Sequence, residues 1–119
     1  MKKIKMDILA KSKGRTFIFL FNYFQQSYGC IEDNPRIKDL FLDFIVELMD
    51  KGELRLAYKG EYLIGSHREQ VDTLKKAWPT HYNEDDPLFD IDNLWWYAYA
   101  PAGPVWIYEN GDLIWECPA

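Results

Sequence analysis

The side chains that could do chemistry in this chain gather in two acidic groups. The first is Glu84, Asp85, Asp86, Asp90 and Asp92. Carboxylate oxygens suit a divalent cation, but the glycine-centred turn and distal glutamate of a calcium loop are missing, so the pattern favours a solvated loop or a protein-binding surface over a metal site. The second is Asp39, Asp43, Glu47 and Asp50, whose spacing sets them along one side of a helix. His67 and His81 have no histidine or cysteine at ligand spacing. Cys30 and Cys117 lie far apart with no C-x-x-C pair, so reduced thiols are expected, with a late disulfide as the alternative. Ser12, Ser27 and Ser66 lack the context of a nucleophile elbow. No nucleophile is paired with a base by any recognisable motif, and the expectation is a non-enzymatic protein with no cofactor and no metal.

The elements that must position these groups follow from composition and period. With 119 residues, 48% of them hydrophobic and 17% aromatic, the chain can bury a core without crosslinks and is expected to form a single domain, 1–119. Asp7, Lys11 and Lys13 interrupt any apolar core of a signal peptide, and the most apolar run, 17–21, is far short of a bilayer span of about 20 residues; the expected location is the cytoplasm. The formal net charge of −5 hides a gradient, because residues 1–15 are basic while no Lys or Arg follows Lys76.

The pattern predicts an α+β fold. Phe17, Leu20, Phe21, Phe24 and Tyr28 recur at helical spacing, predicting a helix over 16–28, with a shorter one around Ile4 to Ser12. Ile37, Leu40, Phe41, Phe44, Ile45, Leu48 and Met49 predict another over 35–51, which turns its four acids outward as an exposed ridge. Ser66-His67-Arg68-Glu69 is a capping box opening a helix over 67–78, with Gln70, Val71, Leu74 and Trp78 inward. Strands are expected near 53–58, 61–64, 94–100, 105–109 and 113–116, with Asn110-Gly111 as a type I′ hairpin turn. Residues 79–93 read as a long loop, a natural place for a partner surface.

The order helix, helix, hairpin invites a winged-helix reading, but a recognition helix carrying Asp39, Asp43, Glu47 and Asp50 would repel phosphates. The C-terminal aromatics could stack bases, yet no cation beyond Lys76 would hold a nucleic-acid backbone. Nucleic acid is therefore disfavoured, and no membrane partner is expected. Large aromatics on both faces of the last strands call for a cover, which the 79–93 loop or a helix, a second subunit in a homodimer, or a partner protein would supply.

Leu63-Ile64-Gly65-Ser66, Glu69-Gln70-Val71, Ala77-Trp78-Pro79 and Pro101-Ala102-Gly103-Pro104-Val105-Trp106 together resemble a small bacterial family of unknown function, over about the last 80 residues. The resemblance implies a single-domain α+β protein of the bacterial cytosol and supplies no catalytic residues. It also implies a possible association with toxin immunity. The expectation for function is an acidic module that binds a basic protein, such as a toxin domain, through 84–92 or the 39–50 ridge. The alternatives are self-association through the aromatic strands and a small enzyme with an unfamiliar site.

Overall fold

The computed structural model describes residues 2–116 and has an α+β fold of five helices and four strands. Helices α1 (Lys3–Ser12), α2 (Phe17–Tyr28) and α3 (Ile37–Asp50) come first. The hairpin β1 (Leu54–Tyr58) and β2 (Glu61–Tyr62) follows, then α4 (His67–Ala77), the irregular segment 78–93, α5 (Leu94–Ala98), β3 (Gly103–Ile107) and β4 (Leu113–Trp115). The sheet is antiparallel in the order β2-β1-β3-β4, so the late hairpin adds to the free side of the early one.

One layer of helices covers one face of this sheet. Phe17, Leu20, Phe21 and Phe24 of α2 are buried, as their spacing predicts, against Ile37, Phe41, Phe44, Ile45 and Leu48 of α3. Leu40 departs from the expected stripe: it is exposed, and Leu42 is buried in its place. The buried arc of α3 is centred beyond Ile37 toward Ile45 and Met49, so Leu40 falls off one edge as Leu42 enters at the other. From the sheet, Leu54, Leu56 and Trp106 face this core, and the Trp106 indole N–H donates to the Arg15 carbonyl at 2.7 Å, tying β3 to the α1–α2 junction.

Two local expectations are corrected. Residues 94–100 do not form a strand. Strict alternation would send Trp95 and Trp96 to opposite faces, but both are buried, while Tyr97 and Tyr99 are exposed. A helical turn brings neighbouring side chains about 100° apart, so both indoles enter one core. The turn is started by Asp90, whose carboxylate accepts from the Leu94 N–H and whose carbonyl accepts from the Trp95 N–H.

The second correction concerns the turns. A type I′ turn needs positive φ at both central residues. Lys59 and Gly60 meet this, at 50° and 81°. Asn110 has no positive φ; its carboxamide instead accepts from the Asp112 N–H, and Gly111 alone, at 89°, takes the left-handed position, with its N–H bonded to the Tyr108 carbonyl. The Asn side chain has drawn the backbone into a local turn of its own.

The capping box at the start of α4 forms as read. Ser66 Oγ accepts from the Glu69 N–H at 3.1 Å, and Glu69 Oε1 accepts from the Ser66 N–H at 3.2 Å. The bond from the Ser66 backbone holds the Glu69 carboxyl below its usual range, so its stabilising effect is present above the ordinary carboxylate value and is lost as the pH falls through the depressed one. Glu69→Gln keeps a cap acceptor but cannot titrate. The stability gap between wild type and E69Q, followed by urea unfolding, should narrow as the medium is acidified from neutrality; a gap independent of pH would show that the carboxylate has no such role.

Candidate functional site

The structure divides the sequence-identified acids into three kinds. On α3 each has acquired a basic neighbour. Glu47 meets Lys5 of α1 at 3.0 Å. Asp43, Asp50 and Asp39 meet Arg68, His67 and Lys75 of α4 at 2.8, 2.7 and 3.7 Å. The Asp43 hydrogen bond raises the Arg68 pKa further above its already high value. Solvated pairs of this kind add little stability, but Lys5, Arg68 and Lys75 offset part of the charge of the row. The ridge is exposed at Asp39, Asp43 and Asp50, as expected, and half-buried at Glu47, while basic side chains reach it from 17 to 42 positions away, which a helical wheel does not display.

In the segment 78–93 the acids also part company. Asp90 is buried and occupied by the start of α5. Asp92 is half-buried, its Oδ1 accepting from Gln25 Nε2 at 2.9 Å and its carbonyl accepting from Asn22 Nδ2 at 3.0 Å. Asp86 accepts from the Leu88 N–H in a local turn. Of the five only Glu84 and Asp85 are exposed, so Asp86, Asp90 and Asp92 are corrected from a common partner surface to structural roles in whole or part. Gln25 is the anchor of this arrangement. Nine-tenths buried, it also donates to Asn22 Oδ1 and accepts from the Ile31 N–H. Tyr82 lies beside these acids, and its phenol is pushed above its ordinary pKa by burial first and by the Asp92 charge second.

The remaining candidates take modest places. Ser12 is buried and donates to the Ile8 carbonyl, and Ser66 is the α4 cap. His81 is exposed and stacks on Phe89 with ring centroids 4.1 Å apart. Cys30 is exposed, while Cys117 lies outside the described residues. Among the described residues no group of three or more His, Cys, Asp or Glu could hold a metal ion, and no helix is long and apolar enough to cross a membrane.

What the sequence did not reveal lies on the sheet face turned away from the helices. Ala57 and Val105 are completely buried there, outside the main core. Their cover comes from the two edge strands: Tyr62 of β2 and Trp115 of β4 reach across to meet at 4.9 Å, and the Arg55 guanidinium sits 3.5 Å from the Tyr62 ring centre. The cover is partial, because Leu113 and Trp115 remain nearly half exposed. On either side of β4, Asp112 and Glu116 turn backbone groups to Tyr108 and Pro104 of the β3 side, so alternation directs those of Leu113 and Trp115 outward along an edge that is open among the described residues. Glu109 and Asp112 are exposed at the adjoining turn, and Glu116 follows the strand. An apolar, aromatic strip with a free backbone edge and a carboxylate border is the arrangement a protein partner can use.

These features fall within a stretch that has relatives. A protein family described as of unknown function, DUF596, matches residues 49–116. The chain belongs to the DUF596 family. An uncharacterised protein conserved in bacteria, from Neisseria meningitidis, has a similar fold, with a TM-score of 0.75 over 93% of this chain and 85% of that one, at 22% identity. No curated protein matches. The resemblance read from the Gly65 to Val71, Ala77 to Pro79 and Pro101 to Trp106 segments, to a small bacterial family without known function, agrees with these matches.

The division of the acids has a direct check in stability. Gln25→Ala removes bonds to Asn22, Asp92 and the Ile31 amide and should cost about 1–3 kcal/mol in chemical denaturation, whereas Glu84→Ala and Asp85→Ala should each stay within about 0.5 kcal/mol. Equal effects at the three positions would contradict the division.

Proposed function

We propose that the protein is a non-enzymatic binding module that receives a basic protein along β4 and the adjoining outer sheet face. One observation carries this reading: an open edge strand whose half-exposed Leu113 and Trp115 are bracketed by Asp112 and Glu116. The apolar strip supplies area to bury, the outward backbone groups supply hydrogen bonds, and the carboxylate border selects for positive charge and speeds encounter. Glu84 and Asp85 extend the acidic surface elsewhere. The α3 row, whose acids already have basic neighbours, takes no part in this reading. A basic toxin domain, with this chain as its immunity partner, is one instance of such a partner, and the acidic C-terminal third favours it.

The same edge bears on self-association. An antiparallel pairing of β4 with a second β4 about Ile114 would set Asp112 of one copy opposite Glu116 of the other, twice. Like charges directly opposed across strands are destabilising, and charge on an edge strand is a common device against self-pairing. The reading is therefore a monomer awaiting a basic partner.

The test is binding to the basic products of neighbouring genes, measured by calorimetry at two salt concentrations. Asp112→Lys/Glu116→Lys should weaken binding by about tenfold or more and flatten its salt dependence. Glu84→Lys/Asp85→Lys should have a smaller effect. Unchanged binding by D112K/E116K, or a wild-type protein that is a stable dimer in light scattering and ignores every basic neighbour, would overturn the proposal.

A further inference from the structure

A cleft of about 370 Å³ opens where the end of α4 and the following segment meet the start of α3. Its size is that of a small-molecule site. Its walls combine the apolar residues Ile31, Trp78 and Ile91 with Lys38, Lys75 and Lys76 and the polar residues Thr80, His81 and Tyr82. Trp78 and Ile91 are buried, so the floor is fixed by the core.

The lysines of this cleft stand out against the acidic net charge of the chain. Lys75 has a loose ion pair, 3.7 Å from Asp39, and Lys38 and Lys76 have no carboxylate within 4.0 Å among the described residues. Of the acids that act on Tyr82, Asp92 Oδ1 is bonded to Gln25 and Asp90 Oδ2 to the Leu94 N–H, while Glu84 is exposed. Thr80 Oγ1 and His81 Nδ1 lie 3.2 Å apart, setting a hydroxyl and an imidazole side by side at the rim.

We propose that this cleft binds a small phosphate monoester. Lys38, Lys75 and Lys76 match the double charge of a terminal phosphate, and Thr80 offers a hydroxyl donor to its oxygens. The apolar floor of Trp78 and Ile91 takes the organic part of the molecule. A single carboxylate would leave most of this positive charge unanswered. The site lies on a different part of the molecule from β4, so it stands whether or not the protein-binding reading does.

The test is amide chemical-shift titration of Thr80, His81 and Tyr82 with adenosine monophosphate, glycerol phosphate, inorganic phosphate and succinate. At least one ester should give saturable shifts at these amides and bind about tenfold more tightly than succinate or inorganic phosphate. Lys38→Gln/Lys76→Gln, two surface changes that leave the core intact, should weaken that ester by about tenfold, and Lys38→Arg/Lys76→Arg should restore most of it. No saturable shift with either ester, equal binding by the glutamine variant, or succinate or inorganic phosphate binding as tightly as the esters would each overturn the assignment.

Discussion

The fold depends most on one indole. Trp96 packs against Phe17 and Phe21 of α2, Phe41 of α3, Trp78 at the end of α4 and Trp95 beside it, with ring centres 4.9 to 6.1 Å apart and mostly edge-to-face. Edge-to-face pairs at these distances add to the gain from burial itself. Its N–H donates to the Ile91 carbonyl at 2.7 Å, so a side chain that must find a polar partner when buried finds one in the segment leading into α5. Three helices and an irregular stretch are thus fastened at one point.

Both surfaces of interest descend from that fastening. Trp78 is held from within by Phe21, Trp95 and Trp96, and it forms the floor of the lysine-lined cleft. Beyond α5, the buried Ala100 and Ala102 lead the chain into β3, which carries β4 at the sheet edge. Burying Asp90 and Asp92 in whole or part is what allows the segment between Trp78 and Leu94 to pack closely on α2. That packing leaves fewer carboxylates to solvent than the composition of the segment suggests.

The long helices were legible because a buried face of 3.6-residue period is written out several times in α2 and α3, and the capping box of α4 is a local pattern with a local cause. A five-residue helix repeats nothing. In Leu94–Ala98 the period of two and the helical turn place the same aromatic residues, and only the depth of Trp95 and Trp96 in a common core decides between them. The acidic groups were legible as positions but not as sites. Lys5, His67, Arg68 and Lys75 approach α3 through tertiary packing, and Asp90 is buried by a turn whose own sequence is polar. The covered sheet face was hidden for the same reason, since Tyr62 and Trp115 stand 53 positions apart and meet only because β2 and β4 flank the two central strands.

With charge partly offset on α3 and partly withdrawn in 84–92, the edge of β4 is where the proposed basic partner would meet the chain. Amide hydrogen exchange compared with and without the bound basic partner examines this most directly. The account predicts that new protection concentrates at Leu113 to Glu116 and at Tyr62, with α3 unchanged. Protection falling on Asp39 to Asp50 or on Glu84 to Asp92 while β4 exchanges as before would contradict it.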